Sequence, residues 1–475
     1  MSFFHTISFF IFSKEPSITP HSSSARLQWS GEYRFFQTLL QILLTIALLF
    51  GTSRQNSMAW ADGSSLSNPP FLKEMSLPVL TIDQAVGEAL GKNPALARER
   101  ARMAREKTLS VQAGELPDPK LVLGEQYFPI SFNMGQSLLA MTTVGLRQSF
   151  APWGKKALLS QGFLREQTAS GWKLEDRKLH LVRDVRLTWM DLYRDTRTED
   201  LLRSIGHLWQ EAFQSALTRY RQGTGSESDL LIAQFQKDNL KDKEEVLQIR
   251  REQSLHHLMS LMHRSQAFRI ASEEPSFPVP LPESILLTRI NHHPALKSSA
   301  DKNASQALRV QAATKDKIPA FSVEGDYSYF MGPSLITATP NLFSVVLTMN
   351  LPVRPGERQD QKVQEEEAIL HSFESQREEL IQKFAKEIRD AETSYLHSSH
   401  RALVLDHRLL PEARRNLDAA LNAYSTGTVG MERVLESMKK VEDIEIQALD
   451  IRVEKMKEMA RLDYLKGLIQ GGSHE

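Results

Sequence analysis

The sequence predicts a mainly α-helical protein that carries transmembrane β-strands, and three observations predict it. An apolar run behind a basic flank stands near the N-terminus, as in exported proteins. The remainder repeats itself after about 200 residues. Within each repeat, two alternating segments of about ten residues interrupt helical stretches far longer than a globular domain needs.

The chain has 475 residues, with 58 basic and 58 acidic side chains. A net charge of zero argues against a nucleic-acid partner, which would favour a basic face. There is no cysteine, so disulfides, cysteine-ligated zinc, cysteine nucleophiles and a lipid-modified cysteine anchor are all excluded. Arg34 precedes the apolar run Phe35–Phe50, and Ala59-Trp60-Ala61 supplies the small residues of a cleavage site. Residues 1–61 therefore read as a secretory signal peptide, although the stretch before Arg34 is long for one. The alternative is a membrane anchor, for which the run falls short of the roughly 20 residues of a span. Residues 62–80 read as a linker.

Four pairs of segments carry the repeat. "NPAL" at Asn93–Leu96 is answered by "HPAL" at His293–Leu296, and "VQAGELPDPKL" from Val111 by "VQAATKDKIPAF" from Val310. "VGLRQSFAPWGKK" from Val144 is answered by "VVLTMNLPVRPGER" from Val345, and "ALTRYRQGTGSESDLL" from Ala216 by "ALNAYSTGTVGMERVL" from Ala420. The offsets agree within a few residues, so the chain is a tandem duplication of 81–275 and 276–470, with a tail at 471–475.

Each repeat opens with a helix, Ile82–Gly114 and Pro282–Lys315. Pro117, Pro119 and Pro319 then end the helices and lead into hairpins at 119–151 and 319–353. The predicted strands lie near Lys120–Phe128, Ala140–Phe150, Ala320–Phe330 and Leu342–Leu351. In the third, Phe321, Val323, Tyr327 and Tyr329 alternate with Ser322, Glu324, Asp326 and Ser328. In the fourth, Phe343, Val345 and Leu347 share a side, as do Val144 and Leu146 in the second, although Gln148 interrupts that side. The first strand alternates poorly.

A tilted strand of about ten residues crosses a bilayer, so these nine apolar residues are the candidate lipid face. From the strands alone, a small sheet lying on a helical core is the alternative. Four strands cannot close a barrel and open edges are not tolerated in lipid, so membrane crossing requires several chains to share one barrel.

Helical stretches follow the hairpins, about Lys155–Arg221 and Glu357–Ser425, each able to reach roughly 100 Å at 1.5 Å per residue. Phe384, Ile388, Ala391, Tyr395, Ser398, Ala402, Leu405 and Leu409 are spaced alternately four and three, as are Trp209, Phe213, Ala216 and Tyr220. That period marks a narrow coiled-coil seam with left-handed supercoiling, so the helices should lie side by side in an elongated bundle or tube.

Gly223 and Gly427 sit where a left-handed helix terminator belongs, Ser226 or Ser228 can cap the returning helix, and the return helices run about Asp229–Met262 and Met431–Ile469. Gly223, Thr224 and Gly225, with Gly427, Thr428, Val429 and Gly430, are candidate docking tips. Small residues permit close approach, and the orphan backbone groups at the helix ends would be free for a partner.

Signal peptide, duplication, one hairpin per repeat and long helices ending in Tyr-x-x-Gly-Thr turns together resemble the TolC-type outer-membrane efflux factors, over nearly all of Leu80–Gln470. The resemblance implies a homotrimer whose chains each give four strands to a twelve-stranded barrel, standing in outer-membrane lipid above a periplasmic α-helical tube. It also implies a passive exit duct that meets a periplasmic adaptor and an inner-membrane pump. "PWGKK" at Pro152–Lys156 and Pro355–Arg358 look most like the heavy-metal branch, which would make metal cations the cargo. Family members place two acids just beyond the second Gly-Thr turn, at the periplasmic aperture. Here Glu432 is followed by Arg433 in the first acid's place, with Glu436 in the second, and a mixed ring should select cations less strongly.

No catalytic constellation competes with this reading. "GTGSES" lacks a dinucleotide fingerprint's third glycine, and no P-loop, H-E-x-x-H or G-x-S-x-G motif occurs. In "HHLMSLMH", His256–His263, the outer histidines stand two turns apart, which suits an amphipathic helix better than a metal site. "QEEEA" at Gln364–Ala368 reads as a solvated face, and Trp172, Trp189 and Trp209 as seam or interface residues. No enzyme activity and no cofactor are expected. The second function class is a soluble periplasmic coiled-coil scaffold whose hairpins cap a bundle.

Overall fold

Proline sets the first structural landmark of both repeats. In a computed structural model, which describes residues 77–127, 130, 140–330 and 341–468, the first repeat runs β1 (Val79–Leu80), α1 (Ile82–Lys92), α2 (Pro94–Gly114), β2 (Lys120–Gln126), β3 (Met141–Phe150), α3 (Lys155–Arg221), α4 (Glu227–Met262) and β4 (Arg269–Ile270). The second runs α5 (Glu283–Arg289), α6 (Pro294–Thr314), β5 (Phe321–Phe330), β6 (Leu342–Met349), α7 (Gln359–Val404), α8 (Leu410–Ser425) and α9 (Met431–Leu465). These residues belong to one unit, Phe71–Glu475. The signal peptide, residues 62–76 of the linker, residues 469–470, the tail and the crests of both hairpins lie outside the described residues.

The sequence reads each opening helix as continuous, and the structure corrects this. Asn93 and His293 are both extended, because the ring of the following proline excludes the helical conformation at the preceding residue. Pro94 and Pro294 then start new helices at a position whose N–H would have no partner. The linker's last residues, Val79–Leu80, are also more than linker, since they pair in parallel with Arg269–Ile270.

The two break residues are equivalent in detail. Asn93 Oδ1 accepts from Ala95 N–H (2.9 Å) while Nδ2 donates to the Leu261 carbonyl (2.8 Å) near the end of α4. His293 Nδ1 accepts from Ala295 N–H (3.2 Å), which leaves Nε2 protonated to donate to the Tyr464 carbonyl (3.1 Å) near the end of α9. One side chain thus caps its own helix and ties it to the return helix of the same repeat. The His293 side chain is 1% exposed, and burial lowers its pKa to about 4, so it is neutral at pH 7. Around it stand Phe384 (ring centroids 4.6 Å apart), Tyr464 and, from α3, His180 and Asp176. Tyr464 Oη lies 2.9 Å from His180 Nε2. Burial lowers the His180 pKa to about 4 and raises that of Asp176 to about 6.

Helix α3 is unbroken for 67 residues, and Gln359–Ser425 matches its length through a π-turn at Leu405–Leu409. Pro411 lies just beyond that turn. Its ring would meet the carbonyl of residue 407 and it offers no N–H, and the wider turn accommodates both defects. The predicted seam is buried at Phe384, Ile388, Ala391, Ser398, Ala402 and Leu405, but Leu409, at the end of the π-turn, is 38% exposed. The apolar core is strung along α3 in three clusters. Leu179 joins Leu296, Phe384 and Ile388; Trp189 joins Leu96, Leu258 and Val453; Trp209 joins Ala233, Leu240 and Val434. Trp189 and Trp209 are therefore core residues, whereas Trp172 lies under the Lys297 ammonium, 4.3 Å from its ring.

Candidate functional site

The two hairpins, about 200 residues apart in sequence, join into one antiparallel sheet in the order β2-β3-β5-β6. The central pairing, β3 with β5, sets Val144 opposite Tyr327, Gln148 opposite Val323 and Phe150 opposite Phe321. Directly opposed residues share a face. With Tyr327 opposite Phe343 and Val323 opposite Leu347, all nine candidate lipid-facing residues fall on one side of the sheet: Val144, Leu146, Phe321, Val323, Tyr327, Tyr329, Phe343, Val345 and Leu347. Each is exposed, from 38% at Val323 to 72% at Phe343. The sequence reading placed β2 but not its apolar face, where Leu121 and Leu123 pair with Leu146 and Val144 and extend the same side of the sheet. Gly124 and Glu125 obscured the period there, and Glu125 is held by the Thr142 hydroxyl, which donates to it (2.8 Å).

The other face is polar and, around β3 and β5, buried. Thr143 and Ser328 exchange a hydroxyl hydrogen bond of 3.0 Å, the Arg147 guanidinium donates to Glu324, and Asp326 is buried beside them. Gly145 stands opposite Asp326, and a Cβ there would come within 1.9 Å of Asp326 Oδ1. The Gly325 carbonyl oxygen would stand 2.9 Å from the same Cβ, so side-chain bulk at 145 requires both the Asp326 carboxylate and the neighbouring strand to shift.

At the other end of the long helices, Gly223 (φ 71°) and Gly427 (φ 75°) adopt the left-handed conformation expected of them. Gly225 is required for closeness instead, since a Cβ would sit 2.9 Å from Arg219 Cβ. Part of the backbone at these turns is already engaged, chiefly the carbonyls that end the long helices. Thr224 N–H and Gly225 N–H donate to the Arg219 carbonyl, Thr428 N–H donates to that of Ala423, and both threonine hydroxyls bond to the same carbonyls. Ser226 Oγ accepts from Asp229 N–H (3.1 Å), while Gly430 brings no side-chain cap to α9. Val429 is half-buried rather than exposed. Glu432, Arg433 and Glu436 occupy the first turns of α9, and Arg433 Nη1 donates to Glu436 Oε2 (2.9 Å) within that helix.

The histidine segment behaves as an amphipathic helix end. Leu258 and Met262 are fully buried and His256, His257 and His263 are exposed. Among the described residues no group of three or more His, Cys, Asp or Glu is disposed to hold a metal ion. In "QEEEA", Glu365 and Glu367 are exposed, but Glu366 turns inward to accept from Gln306 Nε2 (2.7 Å), a cross-helix bond the acid run did not reveal. Among the described residues no helix is long and apolar enough to cross a membrane.

No family model matches the chain, and no curated protein matches it in sequence. Solved structures do match. A membrane protein from Pseudomonas aeruginosa aligns with TM-score 0.71 at 18% identity, over 88% of this chain and 99% of its own. CusC, in a study of folding and transmembrane channel formation, aligns with TM-score 0.71 at 15% identity, over 88% and 98%. The outer membrane protein VceC from Vibrio cholerae aligns with TM-score 0.68 at 16% identity, over 81% and 96%. The chain therefore has the outer-membrane channel fold: long antiparallel helices joined to a four-stranded sheet. Within that class it has the TolC-type architecture, with two repeats that each carry one hairpin.

Proposed function

We propose that the protein is an outer-membrane exit duct of a tripartite efflux system, passively conducting substrates that an inner-membrane pump delivers through a periplasmic adaptor. One observation carries the reading: the strand sheet inverts the arrangement of a water-soluble sheet. Its apolar face is bare on all four strands while its polar face is buried around β3 and β5, which water penalises and a bilayer around a polar lumen rewards. Because β2 and β6 are open edges, three copies sharing twelve strands is the closure that the fold supports. The Gly-Thr turns would then be the tips that meet the adaptor, and Glu432, Arg433 and Glu436 would line the aperture. For cargo, metal cations are the class suggested by the likeness of Pro152–Lys156 and Pro355–Arg358 to the heavy-metal branch.

The test is membrane fractionation, then conductance of the purified protein in a planar bilayer. Outer-membrane recovery, trimers on cross-linking and ohmic channels are expected. Recovery in the soluble periplasmic fraction would instead favour a coiled-coil scaffold, whose sheet would merely cap a bundle. Metal tolerance of cells with and without the gene tests the cargo class.

A further inference from the structure

Just below the sheet, each repeat turns from strand to helix through a proline followed by an apolar residue: Pro152-Trp153 and Pro352-Val353. These two side chains are 90% and 88% exposed, far more than the residues of the sheet face above them. They are held out by hydrogen-bonded turns rather than left on slack loops. Lys155 N–H donates to the Pro152 carbonyl (3.1 Å) around Gly154 in the left-handed conformation, and Val353 N–H donates to the Leu351 carbonyl (3.0 Å). A hollow of about 1820 Å³ at the strand–helix junction is lined by Lys155, Lys156 and Arg358 but by neither Trp153 nor Val353.

Each knuckle has a cation beside it. Lys315 lies against the Trp153 turn, its Cε 4.0 Å from where a Cβ on Gly154 would stand, and its ammonium makes no ion pair among the described residues. Arg354 follows Val353 directly and is 81% exposed, 3.6 Å from Glu357. The level of the knuckles is fixed by the strands. Ten residues at about 3.3 Å each, tilted by about 40°, span about 25 Å, the height of the apolar band of an outer-membrane barrel. That band closes below with Phe150 stacked on Phe321 (centroids 4.9 Å apart), and Trp153 follows three residues later. It thus falls just outside the hydrocarbon, where tryptophan and cations meet headgroups.

We propose that Trp153 and Val353, with Lys315 and Arg354, form a collar seated in phospholipid headgroups at the periplasmic surface of the membrane, fixing the depth at which the sheet stands. This rests on the exit-duct reading, and the experiment separates the two. Because the chain lacks cysteine, single cysteines at Trp153, Val353, Leu347 and Leu208 can each carry a fluorophore on the full chain in vesicles of phosphatidylethanolamine and phosphatidylglycerol. Labels at 153 and 353 should be quenched at least about threefold more by a headgroup spin label than by one deep in the acyl chains, with the reverse at 347 and neither at 208. In Lys315→Glu/Arg354→Glu, headgroup quenching at 353 should fall at least about twofold. A label at 347 quenched with those at 153 and 353 silent overturns the collar alone. Silence at all four positions overturns the exit-duct reading with it. Undiminished quenching in the double variant removes the cations from the collar.

Discussion

His293 offers a quantitative test of the duplicated architecture, because its counterpart is Asn93. The substitution is His293→Asn, which should keep the cap on Ala295 and the bond to the Tyr464 carbonyl, as Asn93 does with Ala95 and Leu261. At pH 7 the loss of ring contacts with Phe384 and Tyr464 should cost about 1–2 kcal/mol. His293→Ala should cost about 2–4 kcal/mol, since it also removes the cap and one of the two hydrogen bonds to the Tyr464 carbonyl, the other coming from Gly467 N–H (3.0 Å). The variants should also differ with pH. The folded pKa of His293 lies near 4 against a usual value of 6.5, so its stability contribution is present above 6.5 and is lost as pH falls toward 4.

At pH 5, 1.5 units below the unfolded value, that loss is about 2 kcal/mol at 1.36 kcal/mol per unit. Asp176 and His180 from α3 and Tyr464 from α9 face the same cluster. His180 acts in the same direction, whereas Asp176, raised to about 6, regains stability as it takes up a proton. The difference between wild type and His293→Asn isolates residue 293. Guanidinium unfolding at pH 7 and pH 5 should show the wild type losing about 2 kcal/mol more than the asparagine variant over that interval. An identical pH response in both would refute the neutral, doubly bonded histidine.

Further outcomes for the sheet and the tips rest on the proposed exit duct, with its trimer and adaptor. Arginine at Val323 or Leu347 should cost about 2–4 kcal/mol near the bilayer midplane, read as loss of folded trimer, while arginine at Ser322 or Thr348 should be far milder; equal losses would sink the assigned faces. Gly145→Ala should lower assembly through its clashes with the Asp326 carboxylate and the Gly325 carbonyl, and Asp326→Gly should restore it in part by removing the first of them, which trimer yield on gels would show. Val429→Asp should leave the trimer assembled and inserted but weaken adaptor binding; cross-linking at normal yield would show that the adaptor docks elsewhere.

The sequence by itself determined what depends on neighbours along the chain. Alternation from Phe321 to Tyr329 and from Phe343 to Leu347 set the faces, because a strand's side chains have a fixed period of two. Spacing of four and three set the seam from Phe384 onward, and Gly223 and Gly427 set the reversals through a conformation that glycine adopts without strain. The break at Asn93 and His293 was legible in principle, since proline acts on the residue before it. Only the tertiary structure decided the rest. That β3 pairs with β5, that Leu121 and Leu123 join the apolar face, that Gly145 makes room for Asp326 and that His293 reaches Tyr464 are relations between residues far apart in the chain. No local pattern encodes such relations. A hydrogen bond or a steric limit between distant residues exists only once packing has brought them together, and packing likewise moved Glu366 and Val429 away from the surface their neighbours suggested.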